Sequence, residues 1–373
     1  MYFENIRSRL LRRFRSGSSV QPFVLPSALY SSVELISRQD SSPLFAIKIR
    51  GSIHSFADLP RTTVRITVAD VTGGPENSLP VRGSDKGWQL PDSQKFCFVT
   101  ELGPLPASIT TIADWTTIAQ IDPDWMEFPH SGKKTLLFSI SIFGFDNPVE
   151  VASSDCTFVY ESTAPGYIDL HENAERSKIL TVTLAFTVSG ADGSLSDSEI
   201  EMIKKWARKN ISPADRPDNA KGQLERALNK TISLLRSGNT INAEKVCLEL
   251  AKIAASAFRL DIMELCLQIA KAGGAVSRTK LNLLKNISSW LAVDKKIVPS
   301  LVQKILTPDI CEVQDAELFL GVRSDMSSEQ TRLLLNEQYK MWSARVTNFD
   351  PQIRRKAAGM LRFIAQTRTQ LVK

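Results

Sequence analysis

Three carboxylates lie in one short run, Asp192, Asp197 and Glu199, within Ala191-Asp192-Gly193-Ser194-Leu195-Ser196-Asp197-Ser198-Glu199. Carboxylate oxygens so closely spaced are the ligands a hard cation such as Ca²⁺ or Mg²⁺ takes, completed by backbone carbonyls and water. The same residues also have a structural use. Asp-Gly makes a tight turn, because Asp bonds its own backbone and Gly tolerates positive φ. Ser196 with Glu199 three residues on is a capping box that opens a helix. Both uses are open from residue type alone.

The elements that would position these side chains occur twice. Leu184, Phe186 and Val188 precede the turn, and Ile200, Ile203 and Trp206 follow it at helical spacing. Leu265, Leu267 and Ile269 then lead into Ala272-Gly273-Gly274-Ala275-Val276-Ser277, with Leu281, Leu284 and Ile287 after it. Asp192 aligns with Gly273 and Glu199 with Lys280, both at an offset of 81 residues. The hairpin is repeated; the acidic pair is present only in the first copy. Further apolar faces at Leu224, Leu228, Ile232 and Leu235, and at Ala243, Val246, Cys247 and Leu250, extend the region into an antiparallel helical bundle.

A second set of side chains that could do something lies near the C-terminus. Ser327-Ser328-Glu329-Gln330 opens a helix through Leu333, Leu334, Tyr339 and Trp342, and Asn348-Phe349-Asp350-Pro351 forms a loop. A last helix follows through Ala357, Met360, Leu361 and Ile364. Arg345, Arg354, Arg355, Lys356, Arg362 and Arg368 give this segment a basic face. With Asp350 at its turn, that face suits an acidic protein partner. Nucleic acid is disfavoured, since no aromatic residues interleave with the charges for base stacking.

The duplicated motif, apolar helix then Ala-Asp-Gly then Ser-x-x-Glu, resembles the tellurite-resistance TerB-like helical domain over roughly residues 179–298. The resemblance implies duplicated helical hairpins and divalent-cation binding (Ca²⁺ or Mg²⁺) at Asp192 and Glu199, assisted by Asp197. Gly273 and Lys280 depart from that acidic pattern in the second copy. The terminal segment, Leu320-Gly321-Val322 then Ser327-x-x-Gln330 and a Tyr339-Lys340 helix, resembles a J-domain hairpin, which implies a heat-shock ATPase chaperone as partner. That family needs a His-Pro-Asp loop; here it reads Asn348-Phe349-Asp350, and only the Asp matches.

A chain of 373 residues suggests two or three domains, and 43% hydrophobic with 23% charged residues is an ordinary globular composition. No apolar run approaches the roughly 20 residues needed to span a bilayer. The five cysteines are scattered with no C-x-x-C pair, which argues against a structural zinc or a disulfide framework. The net charge of +6 is concentrated at the two ends. Five arginines in residues 1–19 surround Phe3, Ile6, Leu10 and Phe14 at helical spacing, the pattern of a basic amphipathic segment that could lie on an anionic membrane surface. Residues 332–373 hold nine Lys or Arg against Glu337 and Asp350 alone.

Between these ends the texture is first β-type. Leu44-Phe45-Ala46-Ile47-Lys48-Ile49, Thr63-Val64-Arg65-Ile66-Thr67-Val68 and the run through Leu136, Phe138, Ile140 and Ile142 alternate apolar with polar residues, separated by Gly and Pro turns. Residues 73–85 read as a long exposed loop, and 166–170 as a bridge into the helical part. Trp88, Trp115 and Trp125 are packing residues or a ligand platform. No nucleophile–base set, phosphate loop or calcium-loop spacing is present in the sequence.

The composite expectation is a multidomain β + α chain: a basic tail (1–19), an antiparallel β-sandwich (20–170), an all-α bundle of duplicated TerB-like hairpins (175–308) and a J-like helical hairpin (315–373). The function expected is that of a non-enzymatic interaction or scaffold protein in a bacterial tellurite-resistance-type stress response, with a weak divalent-cation site. Two other functions stay open: a J-domain-type co-chaperone or client adaptor, and a peripheral membrane adaptor acting through the tail. The default compartment is the cytoplasm, with any membrane-bound form at the inner face.

Overall fold

The computed structural model describes residues 27–38, 41–145, 150–210, 241–274, 276–308 and 312–372, with Arg226, Leu228, Lys230, Thr231 and Ser233. The basic tail (1–19), Leu224, Ile232, Leu235 and Cys311 lie outside the described residues. Two compact units result, Met1–Leu170 and His171–Lys373.

The first unit is built from β1 (Ala28–Arg38), β2 (Ser41–His54), β3 (Leu59–Asp70), β4 (Leu79–Pro80), β5 (Arg82–Gly83), β6 (Cys97–Leu105), β7 (Ile109–Ile121), β8 (Met126–Glu127), β9 (Gly132–Gly144) and β10 (Glu150–Ser162). One antiparallel sheet runs β1-β2-β7, and the other runs β10-β9-β3-β4 with β6 also paired to β3. Period-two alternation explains the two-faced strands: in β9, Leu136, Phe138, Ile140 and Ile142 are buried while the residues between them are partly exposed. Phe45 of β2 meets Phe138 of β9 edge to face, ring centroids 5.4 Å apart, so the sheets share one apolar core. The Ser31 and Ser154 hydroxyls hydrogen-bond at 2.9 Å where β1 approaches β10.

Close backbone approach requires glycine within β2. Gly51 has φ 125°, and a Cβ there would lie 2.0 Å from the Ala28 carbonyl oxygen on the paired strand.

Two expectations change in detail. Residues 73–85 are not one open loop: Val81 is fully buried, and its neighbours form β4, paired to β3, and β5, paired to β8. Residues 166–170 lead into the helical part already as helix, α1 (Tyr167–Ser189). The Asp169 carboxylate fixes that start by accepting the amides of Gly166 (2.9 Å) and Ser131 (2.7 Å). Among the tryptophans, Trp88 and Trp125 stack on each other at 4.2 Å and pack against the core, whereas Trp115 is exposed beneath the Arg50 guanidinium.

After α1 come α2 (Asp197–Asn210), α3 (Ala243–Ile253), α4 (Ser256–Ala272), α5 (Arg278–Trp290), α6 (Val298–Ile305), α7 (Ala316–Leu320), α8 (Ser328–Ser343) and α9 (Pro351–Leu371). Their apolar faces meet in a single core that runs from Val182 to Ile364. The terminal hairpin α8–α9 therefore shares its core with the bundle: Phe363 of α9 packs edge to face on Phe319 of α7. Among the described residues no helix is long and apolar enough to cross a membrane.

Truncating the sheet-bridging ring should be costly. Phe138→Ala is expected to lower the unfolding free energy of the first unit by about 3–5 kcal/mol. Val159→Ala, at an exposed position on β10, should stay within about 0.5 kcal/mol. Urea unfolding followed by circular dichroism distinguishes the two.

Candidate functional site

The two hairpins of the repeat share one local layout. α1 delivers Leu184, Ala185, Phe186 and Val188 to the core, ends in a tight turn, and is followed by Gly193 at φ 80°. α4 delivers Leu265, Cys266, Leu267 and Ile269, and is followed by Gly274 at φ 98°. Ser196 caps α2 and Ser277 caps α5, each accepting the amide of the third helical residue at 3.3 Å. Those third residues are Glu199 and Lys280.

They touch. Lys280 Nζ donates to Glu199 Oε1 at 2.7 Å and lies 3.0 Å from Asp192 Oδ2. Glu199 is 0% and Lys280 only 3% exposed, so this is a buried ion cluster at the seam of the repeat. The second oxygen of Glu199 is equally engaged. Its Oε2 accepts from the Ser189 hydroxyl (3.0 Å), the Ser196 amide (3.1 Å) and the Ser196 hydroxyl (2.9 Å). The Ser196–Glu199 capping box is therefore present, but it is only half of what Glu199 does. Asp192 holds the turn as expected, its Oδ1 accepting the Ser194 hydroxyl (3.0 Å) and amide (3.3 Å).

Position and electrostatics oppose each other at Lys280. A cation in the first turn of a helix faces the positive end of the helix dipole. Burial also pushes the Lys280 ammonium towards a lower pKa. The hydrogen bonds and charges of Glu199 and Asp192 outweigh burial, and the net shift is upward. Asp192 shows the mirror effect: burial would raise it, but the bonds from Lys280 and Ser194 hold it below the usual carboxylate range.

The structure does not gather the three expected cation ligands. Asp197 is exposed in the first turn of α2, where a negative charge favours the helix dipole. Asp192 and Glu199 converge, but on the Lys280 ammonium. Among the described residues no group of three or more His, Cys, Asp or Glu is arranged to hold a metal ion.

The expected partner-binding residues divide into two kinds. Asp350 is a capping residue, its Oδ1 accepting the Gln352 amide at 2.8 Å. Lys356 is half-buried and donates to the Lys304 carbonyl at 3.3 Å; burial, with the Lys271 and Arg345 charges beside it, pushes its pKa down to about 8. Arg345 lies over the Trp342 ring at 4.6 Å, and Arg354 donates to the carbonyls of Asn348 (3.0 Å) and Phe349 (3.2 Å). Arg355 is exposed. Phe349, a loop residue by sequence, is 99% exposed at the hairpin tip beside exposed Val346 and Ile353.

Two further polar sites carried no sequence signal. His130 Nδ1 pairs with Asp169 Oδ1 at 2.7 Å, across residues far apart in sequence, and its hydrogen bond helps hold the Asp169 carboxyl well below its ordinary range, against the opposing effect of burial. Arg278 Nη1 donates to Asp315 Oδ2 at 2.5 Å.

A duplicated helical-hairpin domain with an Asp-Gly turn and a buried ionic seam is thus the class this site defines. The family model for the tellurite resistance protein TerB matches residues 178–298, and these residues form a TerB-like helical domain. No curated protein matches the chain. Solved structures with similarity include a β-glucuronidase of Bacteroides uniformis, at 13% identity and TM-score 0.18, covering 70% of this chain and 32% of that one. A β-1,2-glucanase of Parabacteroides distasonis aligns at 9% identity and TM-score 0.12, covering 86% of this chain and 68% of that one. This chain thus spans about a third of the β-glucuronidase, and scores this low bear on neither fold nor function.

Removing one member of the seam should be expensive, because the remaining charge stays buried. Lys280→Met is expected to destabilise the second unit by about 3–5 kcal/mol at neutral pH. Because its folded pKa is raised, Lys280 contributes stability that is fully present below the unfolded value near 10.4 and lost as pH rises through the folded value. The gap between wild type and Lys280→Met, measured by urea unfolding, should therefore narrow above about pH 10.4.

Proposed function

We propose that this protein is a non-enzymatic scaffold of a tellurite-resistance-type stress response, whose terminal hairpin docks an acidic protein partner. The observation that carries the reading is the tip of that hairpin. A fully exposed Phe349, with Val346 and Ile353 beside it, is flanked by Arg345, Arg354 and Arg355. None of these three arginines is paired with a carboxylate among the described residues. Aromatic and Arg side chains dominate binding hot spots, and unneutralised arginines steer an acidic partner to them. The TerB-like match supports the stress-response setting. The non-enzymatic part rests on the seam carboxylate with motif support, Glu199, having both oxygens engaged in bonds that hold the fold.

The co-chaperone reading has less support. Asn348 and Phe349 stand where the activating His and Pro would be, and Asp350 is engaged as the cap of α9.

A photo-crosslinking residue in place of Phe349 should trap an acidic partner in cells, and Arg355→Glu, at an exposed position, should weaken the adduct without moving the thermal midpoint. An adduct indifferent to charge reversal would contradict the docking role. Lys356 should behave differently, because it is half-buried. Its folded pKa is lowered, so its charge destabilises the fold below about pH 8, and that cost disappears once the unfolded lysine also loses its proton. Lys356→Gln is expected to stabilise the protein at pH 7, with the gain fading towards about pH 10.4 in thermal unfolding.

A further inference from the structure

The family resemblance implies a divalent cation at Asp192 and Glu199, and the residues around these carboxylates do not fit one. Lys280 Nζ lies 2.7 Å from Glu199 Oε1 and 3.0 Å from Asp192 Oδ2, at the point where both carboxylates converge. A cation there would meet a buried ammonium within contact distance, a repulsion that the low local dielectric magnifies. We propose that Lys280 is a tethered replacement for that cation: the second repeat supplies, covalently, the positive charge that the acidic turn of the first repeat needs. The helical unit then assembles its two hairpins independently of divalent ions.

Three observations converge on this assignment. Glu199 and Lys280 are the same position of the repeat, so an acidic residue in both copies would bring carboxylates together and call for an external cation. Lys280 is placed against its own helix dipole, which only the facing carboxylates offset. Gly273, the repeat equivalent of Asp192, sits on the same cluster. A Cβ at Gly273 would come within 2.8 Å of Glu199 Oε1 and 3.5 Å of Lys280 Nζ. Glu199 cannot swing away, since its other oxygen is held by Ser189 and Ser196. The two departures of the second copy are therefore one change. Glycine clears the space in which Glu199 reaches the ammonium, and lysine fills the charge.

The test is thermal unfolding of the full chain in EDTA and in millimolar Ca²⁺ or Mg²⁺, for wild type, Lys280→Gln, Lys280→Glu and Asp192→Asn/Glu199→Gln. The wild-type midpoint is expected to be the same in all three conditions. Lys280→Gln, which removes the charge and keeps much of the side-chain length, should be destabilised in EDTA and regain part of its midpoint with either ion, as a ligand of the native state must. Lys280→Glu should show a larger ion-dependent gain where it folds. A wild-type midpoint that rises with Ca²⁺ or Mg²⁺, and loses that rise in the Asp192→Asn/Glu199→Gln protein, would overturn the proposal by showing that an ion binds despite the ammonium. Lys280→Gln that ignores both ions would overturn it as well, because the ammonium would then be an ion-pair partner that replaces nothing.

Discussion

The second unit depends on one buried contact, the bond between Lys280 of α5 and Glu199 of α2. Dehydrating a carboxylate and an ammonium costs several kcal/mol each, and their attraction recovers that only when the remaining donors and acceptors are satisfied. Here they are. Glu199 accepts four hydrogen bonds, and Lys280 adds Asp192 as a second carboxylate. An apolar pair could hold two helices at least as firmly. An ionic pair with this geometry also fixes which residue faces which, since a slip along either helix would leave a charge buried and unmet.

That constraint explains why the turns are built as they are. Asp192 reaches Lys280 only because the chain reverses within the turn closed by Gly193, and Ser196 must cap α2 for Glu199 to point inward. The surrounding core, with Phe186, Ile203, Leu267 and Leu284 all fully buried, supplies most of the driving force, while the ion cluster supplies register. Because α9 packs on the same core through Phe363, the basic hairpin tip is presented on a rigid base. A docking loop on a rigid base loses less conformational entropy on binding than a free tail.

Much of this was legible in the residues. Alternation in β2, β3 and β9 gave the antiparallel sheets, and the doubled helix–turn–helix pattern gave the repeat and its family. The Ser196–Glu199 capping box is local in sequence and was readable for that reason. What was not legible depends on tertiary approach. Gly273 and Lys280 looked like losses in the second copy, because only the packed hairpins reveal that Lys280 meets Glu199, its own repeat equivalent. Lys356 reads as surface charge, yet it is half-buried and its pKa is pushed down to about 8. Asp350 matched a family motif by letter, while its geometry is that of a helix cap. The His130–Asp169 pair joins residues with no common motif, so no spacing rule could have found it.

The helical unit holds its repeat together only if Glu199 and Lys280 stabilise the fold through each other. A double-mutant cycle with Glu199→Gln and Lys280→Met, read by urea unfolding at neutral pH, measures that coupling directly. The structure predicts strong non-additivity, a coupling of about 2–3 kcal/mol at the upper end of what contacting residues show. Single-variant losses that add to within about 0.5 kcal/mol, as for distant sites, would mean the two charges act independently, and the ionic seam would not be what joins the repeat.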